Sequence, residues 1–195
     1  MRIEKRDYMG FNDEEMEVAI YGLKRLGMFT ASLIVVLIIG IIMDNVKGVF
    51  LFLVLFIPLR IFAGGLHMPK LWICAITSAL LIVGVAYVLN CADYTLLHQT
   101  LCLAIAILSA VQIILLAPVD TANKPLFKEE KIRYKKISII ITMMETALFF
   151  SNFINDLFKM LIFMVLVIEG FYLTVQKVVN YMREKRNRND QIINE

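Results

Sequence analysis

The sequence predicts an all-α integral membrane protein with about six transmembrane helices, and three observations carry that expectation. The chain has 195 residues, of which 59% are apolar and only 19% charged, with a mean hydropathy of +0.74. That is too much apolar surface for a water-soluble domain of this size. The apolar residues gather into blocks that end at charges, Asn, Gly or Pro, as helices crossing about 30 Å of hydrocarbon require. The basic residues cluster at alternate block ends, the pattern of a chain that crosses repeatedly.

Taken in order, residues 1–25 read as an N-terminal amphipathic helix on the membrane surface. Asn12 and Glu15 have capping-box spacing, Met16, Ala19, Ile20 and Leu23 share a face, and Lys24 and Arg25 close the segment. An ordinary solvated helix before a span fits these residues equally well. The first apolar run starts late and follows an acidic stretch, so no cleavable signal peptide is expected. Residues 26–177 then form the six-span bundle, with spans at Leu26 to Met43, Gly48 to Leu59, Leu71 to Asn90, Thr100 to Ala117, Ile137 to Ile154 and Met160 to Gln176. The second is short, at about twelve residues, which suits a tilted, broken or re-entrant segment before the third span as well as a full span. Residues 178–195 form a basic tail, and the whole chain reads as a single polytopic domain.

Orientation follows from the cations, because Lys and Arg are retained on the cytoplasmic side. With six spans and the N-terminus inside, 18 of the 20 basic residues fall inside and only Lys47 and Lys159 outside. Both termini are therefore expected in the cytoplasm. Glu145 and Glu169 fall inside the fifth and sixth spans, where a carboxylate is costly and must face protein or water.

The three cysteines, Cys74, Cys91 and Cys102, have no metal-ligand spacing, and their odd number argues against a complete disulfide framework. No glycine-rich phosphate loop, internal repeat or basic-aromatic interleaving is present. No cofactor, metal or nucleic acid is expected.

One stretch is out of keeping with the rest: RIFAGGLHMPKLWIC, residues 60–74. His67 and Cys74 form the one pair in the chain that can act as a nucleophile with its base. The plainer reading is a headgroup-facing His and a packing Cys. In a straight helix, residues seven apart share a face yet lie roughly 10 Å apart along the axis, so contact requires a turn. Gly64, Gly65 and Pro69 allow one, with Pro69 opening the third span and His67 folded back over its start. Arg60 and Lys70 sit at the same depth as counter-charges or carboxylate-binding groups.

The pattern Arg60, Gly64, Gly65, His67 and Cys74 resembles the core motif of the AgrB family of membrane endopeptidases, which process quorum-sensing pro-peptides. A second match is APVDTANKPL, residues 117–126, similar to the turn after a span in that family. Met68 and Pro69 depart from the family pattern, where a small residue without Pro often follows the His. The resemblance implies a cysteine endopeptidase in which Cys74 attacks a carbonyl of an AgrD-like pro-peptide and His67 acts as general base. Release of the C-terminal part leaves an acyl-enzyme thioester, which an internal Cys or Ser of the peptide opens to give a thiolactone or lactone. It also implies a homodimer in the lipid bilayer.

Asp120 and Asn123 are candidates for orienting His67, although such residues commonly just cap a turn. Lys128, Lys131 and Lys135 are candidates for docking an acidic substrate segment, beside their plainer role as topology signal. A small peptide exporter and a non-catalytic scaffold stay open as alternatives. Neither needs a His and a Cys beside a Gly-Gly break, and no matching half-repeats are visible.

Overall fold

The computed structural model describes residues 13–64, 71–91, 100–119 and 127–193. Among them six helices form: α1 Asp13–Ile42, α2 Val46–Ala63, α3 Leu71–Cys91, α4 Thr100–Leu116, α5 Lys128–Phe150 and α6 Asp156–Ile193. Among the described residues two stretches, Val46–Ala63 and Asp156–Arg186, are long and apolar enough to cross a membrane.

Helix α1 differs from the expected pair of surface helix and first span, being one helix from Asp13 to Ile42. It holds no Pro, and Gly22 and Gly27 face open space. Each further residue adds a backbone hydrogen bond whatever its polarity, so Lys24 and Arg25 do not stop it. The N-terminal half of the expected surface segment lies outside the described residues.

The turn after α1 places Asp44 at φ +53° and leaves Asn45 to cap α2, its side chain accepting from the Gly48 amide at 3.1 Å. Asn45 Nδ2 also donates to Asn90 Oδ1, and Asn90 Nδ2 to the Met43 carbonyl, both at 2.7 Å. The α1–α2 turn is thereby clasped to the end of α3.

Helix α2 is not the short segment expected. It spans 18 residues, continuing through Pro58 and Arg60 to Ala63. Pro58 forfeits one rung of the ladder and faces outward, while Arg60 finds partners inside the bundle, described below. Helix α2 is therefore unbroken as far as Ala63, and residues 65–70 lie outside the described residues. Pro69, expected to open the third span, is among them.

Helices α3 and α4 match their expected spans to within a residue. Helix α5 starts earlier than its apolar block, at Lys128, where the Phe127 amide donates to Glu130 Oε2 at 3.2 Å and two acidic residues occupy the positive first turn. Asn155 caps α6 by accepting from the Phe158 amide at 2.9 Å. Helix α6 then runs 38 residues, a rod of roughly 57 Å at about 1.5 Å per residue, and its basic end continues the apolar part of the helix without a break.

Helix α6 packs mainly against α4 and α2, and α1 against α2 and α3. The core includes Phe52, Leu59, Ile113, Leu161, Ile162, Leu166 and Leu173. Outward-facing positions include Ile38, Leu80, Leu108, Leu115, Ile140 and Phe171, whereas Ser109, Ser138, Thr142, Glu145, Glu169 and Gln176 are buried. That distribution, with large apolar side chains outside and polar ones within, is the reverse of what water selects. Three hydroxyls of α5 hydrogen-bond to their own helix, Ser138 to the Lys135 carbonyl, Thr142 to that of Ser138 and Thr146 to that of Thr142. By contrast Gln112 of α4 donates across to Thr174 of α6 at 3.3 Å.

Candidate functional site

The last turn of α2 carries Arg60, and the buried face of α6 supplies what receives it. Arg60 Nη1 lies 3.6 Å from Glu169 Oε2, an ion pair at a separation longer than a hydrogen bond. The guanidinium carbon sits 4.7 Å from the centre of the Tyr172 ring, where the negative face of an aromatic attracts a cation. Glu169 and Tyr172, three residues apart on one helix, share a face and form a wall and a floor for the same cation. Arg60 Nη1 also donates to the Gly64 carbonyl at 3.2 Å.

Glu169 is 0% exposed, and neither of its carboxylate oxygens makes a hydrogen bond within the described structure. Glu145 of α5, 2% exposed, is buried as well, and its Oε2 also has no hydrogen-bond partner within the described structure. A partly exposed cation and two buried carboxylates thus lie on three helices, α2, α5 and α6, that pack on one another.

Beyond Arg60 the chain turns at Gly64, with φ +80° and ψ −146°. Gly64 bridges to Val119, and the Val119 amide donates to the Ala63 carbonyl at 3.1 Å. A Cβ on Gly64 would stand 2.7 Å from the Val119 carbonyl oxygen, so both the backbone conformation and the space call for glycine. The bridge brings together the two stretches that the sequence singles out, the end of α2 and the segment that opens with Ala117. Phe62, two residues before Gly64, meets Tyr134 of α5 edge to face with ring centres 5.5 Å apart, which fixes the basic start of α5 beside the same corner.

Of the residues singled out in the sequence, Arg60 and Gly64 are placed together here. Gly65, His67, Lys70, Asp120 and Asn123 lie outside the described residues. Cys74 occupies the first turn of α3, its side chain also outside the description. Lys128 starts α5, and Lys131 and Lys135 are exposed one turn apart along it. Cys91 and Cys102 are free thiols. Among the described residues no three His, Cys, Asp or Glu side chains gather as a metal site.

Nothing local in the sequence assigns a role to Glu169 or Tyr172, and Val119 stands out only as part of the stretch 117–126, not as the partner of Gly64. A signal for the pairing existed: Arg60 follows one apolar block and Glu169 lies within another, and charges in such positions seek each other.

An all-helical bundle with apolar side chains outside and polar and ionisable ones within is built as a membrane protein. A sequence model of the family described as AgrB, accessory gene regulator B, matches residues 3–173, and the chain belongs to that family. Similar proteins include AgrB-like protein 2 of Clostridium perfringens strain 13 and an AgrB-like protein of strain SM101. Each is 28% identical over 138 residues, which cover 68% of this chain and 64% of the relative. The aligned part is thus less than two thirds of either relative's length. No solved structure matches the chain.

Proposed function

We propose that the chain is a membrane cysteine endopeptidase that cleaves the C-terminal part from an AgrD-like pro-peptide and permits cyclisation of the remainder. The observation that carries this reading is the bridge from Gly64 to Val119. It joins the two stretches that resemble the family's motifs, directly before the short segment that holds His67 and leads into the first turn of α3, where Cys74 sits. A helix N-terminus favours negative charge, and a chain turned at Gly64 can return an imidazole to that helix start.

In this reading His67 takes the thiol proton as Cys74 attacks the peptide carbonyl, and then gives it to the departing amine of the C-terminal segment. The acyl group is held as a thioester. An internal thiol or hydroxyl of the peptide attacks it, Cys74 leaves, and the ring closes as a thiolactone or lactone. Exchange of one thioester for another is close to neutral in energy, so holding the acyl group on sulfur keeps cyclisation feasible, and a site at the membrane boundary limits hydrolysis. Asp120 and Asn123 are the candidates to orient His67. Arg60 and Gly64 shape the turn, while Gly65 and Lys70 belong to the same segment. The protein crosses the membrane six times with both termini in the cytoplasm, and two copies associate.

The exposed Lys131 and Lys135, with Lys128, give the start of α5 a basic face that suits an acidic substrate segment. The deciding experiment is Cys74→Ala in the full chain reconstituted in lipid, assayed for cleavage of a tagged AgrD-like peptide and for a hydroxylamine-sensitive adduct. Cleavage and adduct should both vanish while the peptide still binds. Persisting cleavage would overturn the protease reading and leave an exporter or a scaffold in its place.

A further inference from the structure

We propose that Glu169 is a positioning residue for peptide cleavage: through Arg60 it fixes the turn at Gly64 from which the catalytic segment departs. The inference rests on the protease reading above and deepens it. A buried carboxylate costs far more than an apolar side chain of similar volume, and a buried ion pair is often no more stabilising than well-packed hydrophobic residues. Stability therefore gives little reason to bury Glu169 against the partly exposed Arg60. Geometry gives one. The same Arg60 nitrogen that faces Glu169 at 3.6 Å donates to the Gly64 carbonyl at 3.2 Å, so the carboxylate sets where that donor points.

Tyr172 limits the guanidinium from a second direction at 4.7 Å, and both anchors belong to α6, a single helix of 38 residues. On the other side of the turn, the Val119 amide holds the Ala63 carbonyl at 3.1 Å. Gly64 is gripped from two sides, by a charge relayed from α6 and by the backbone after α4. A shift of the turn redirects everything that follows it, including His67, seven residues after Arg60. Such displacement costs rate rather than affinity, because acylation depends on the approach of base, thiol and carbonyl.

The test compares Glu169→Gln, which keeps shape and removes charge, with the double variant Arg60→Met and Glu169→Leu, which leaves neither partner of the pair. The double variant covers the case in which an Arg60 left without its carboxylate prevents folding. Two readouts are taken on protein in lipid: kcat and KM for the tagged peptide, and hydrogen exchange of the Gly64 and Val119 amides. Positioning predicts at least about a tenfold fall in kcat with KM within about twofold, and exchange of both amides faster by about threefold or more while helix amides elsewhere hold. Glu169→Asp, which restores the charge, should recover part of both. Unchanged exchange would overturn the proposal, as would faster exchange with unchanged kcat, since the turn would then not govern cleavage. Cys74→Ala run in parallel separates the two ideas. If it still cleaves, the protease reading fails, whatever the Glu169 variants do to the amides.

Discussion

The two ends of α2 are fastened by different chemistry. At the Asn45 end the fastening is neutral and short: the cap to Gly48 at 3.1 Å and the exchange with Asn90 at 2.7 Å use amides and backbone only. At the Gly64 end it is charged and long-range, from Glu169 of α6 to Arg60 to the Gly64 carbonyl, with a backbone bridge to Val119. Neutral amides suffice to hold a turn in place. Burying charge to hold the other turn makes sense where the position of the backbone matters more than its stability.

Glycines at the two ends sharpen the contrast. At Gly64 a methyl group would meet a backbone carbonyl oxygen at 2.7 Å with φ at +80°, and neither can yield cheaply. Gly64→Ala should therefore cost roughly 3 kcal/mol, from the left-handed backbone and the overpacking together. Cleavage of the peptide by the folded fraction should fall by more than about tenfold, read by unfolding in mixed detergent and by kinetics. A Gly64→Ala protein as active as the parent would erase the distinction between the ends.

At Gly48 the obstructing atoms belong to side chains, those of Asn45 and Leu89, with Leu89 Cδ1 at 2.8 Å. Gly48→Ala should cost about 1–2 kcal/mol and leave kcat of the folded protein unchanged in the same assays. Loss of kcat there would show that both ends govern the site.

The smallest effect is expected outside the bundle. Reversing Lys128, Lys131 and Lys135 to Glu should leave stability within about 0.5 kcal/mol and raise KM for the peptide severalfold at low salt, with the difference shrinking as salt screens the contact. Normal processing at all salt concentrations would assign these residues to topology alone.

How legible these ends were follows from what each depends on. Helices α3 and α4 are fixed by uninterrupted apolar runs with clear stops, and the sequence places both within a residue. Helix α2 is short on a local reading because Arg60 ends its apolar block. Its partner Glu169 stands more than a hundred residues away, and no local pattern shows that a charge will be met inside the bundle. Helices α1 and α6 outrun their apolar blocks because a block marks what suits lipid, whereas a helix continues until its hydrogen bonding is broken. At the site, glycine pairs and a His with a Cys are visible as unusual residues. The docking of Gly64 on Val119 is not visible, since it is written in backbone geometry that both stretches acquire only together.

The hydroxyls of Ser138, Thr142 and Thr146 have a further consequence. Because each is satisfied by a carbonyl of α5 itself, these hydroxyls make few polar demands on the neighbouring helices, in contrast to Glu145 on the same helix. The seam along those hydroxyls has low friction: sliding or rolling α5 by a fraction of a turn breaks none of these three bonds, whereas the same motion between α4 and α6 must break the link from Gln112 to Thr174.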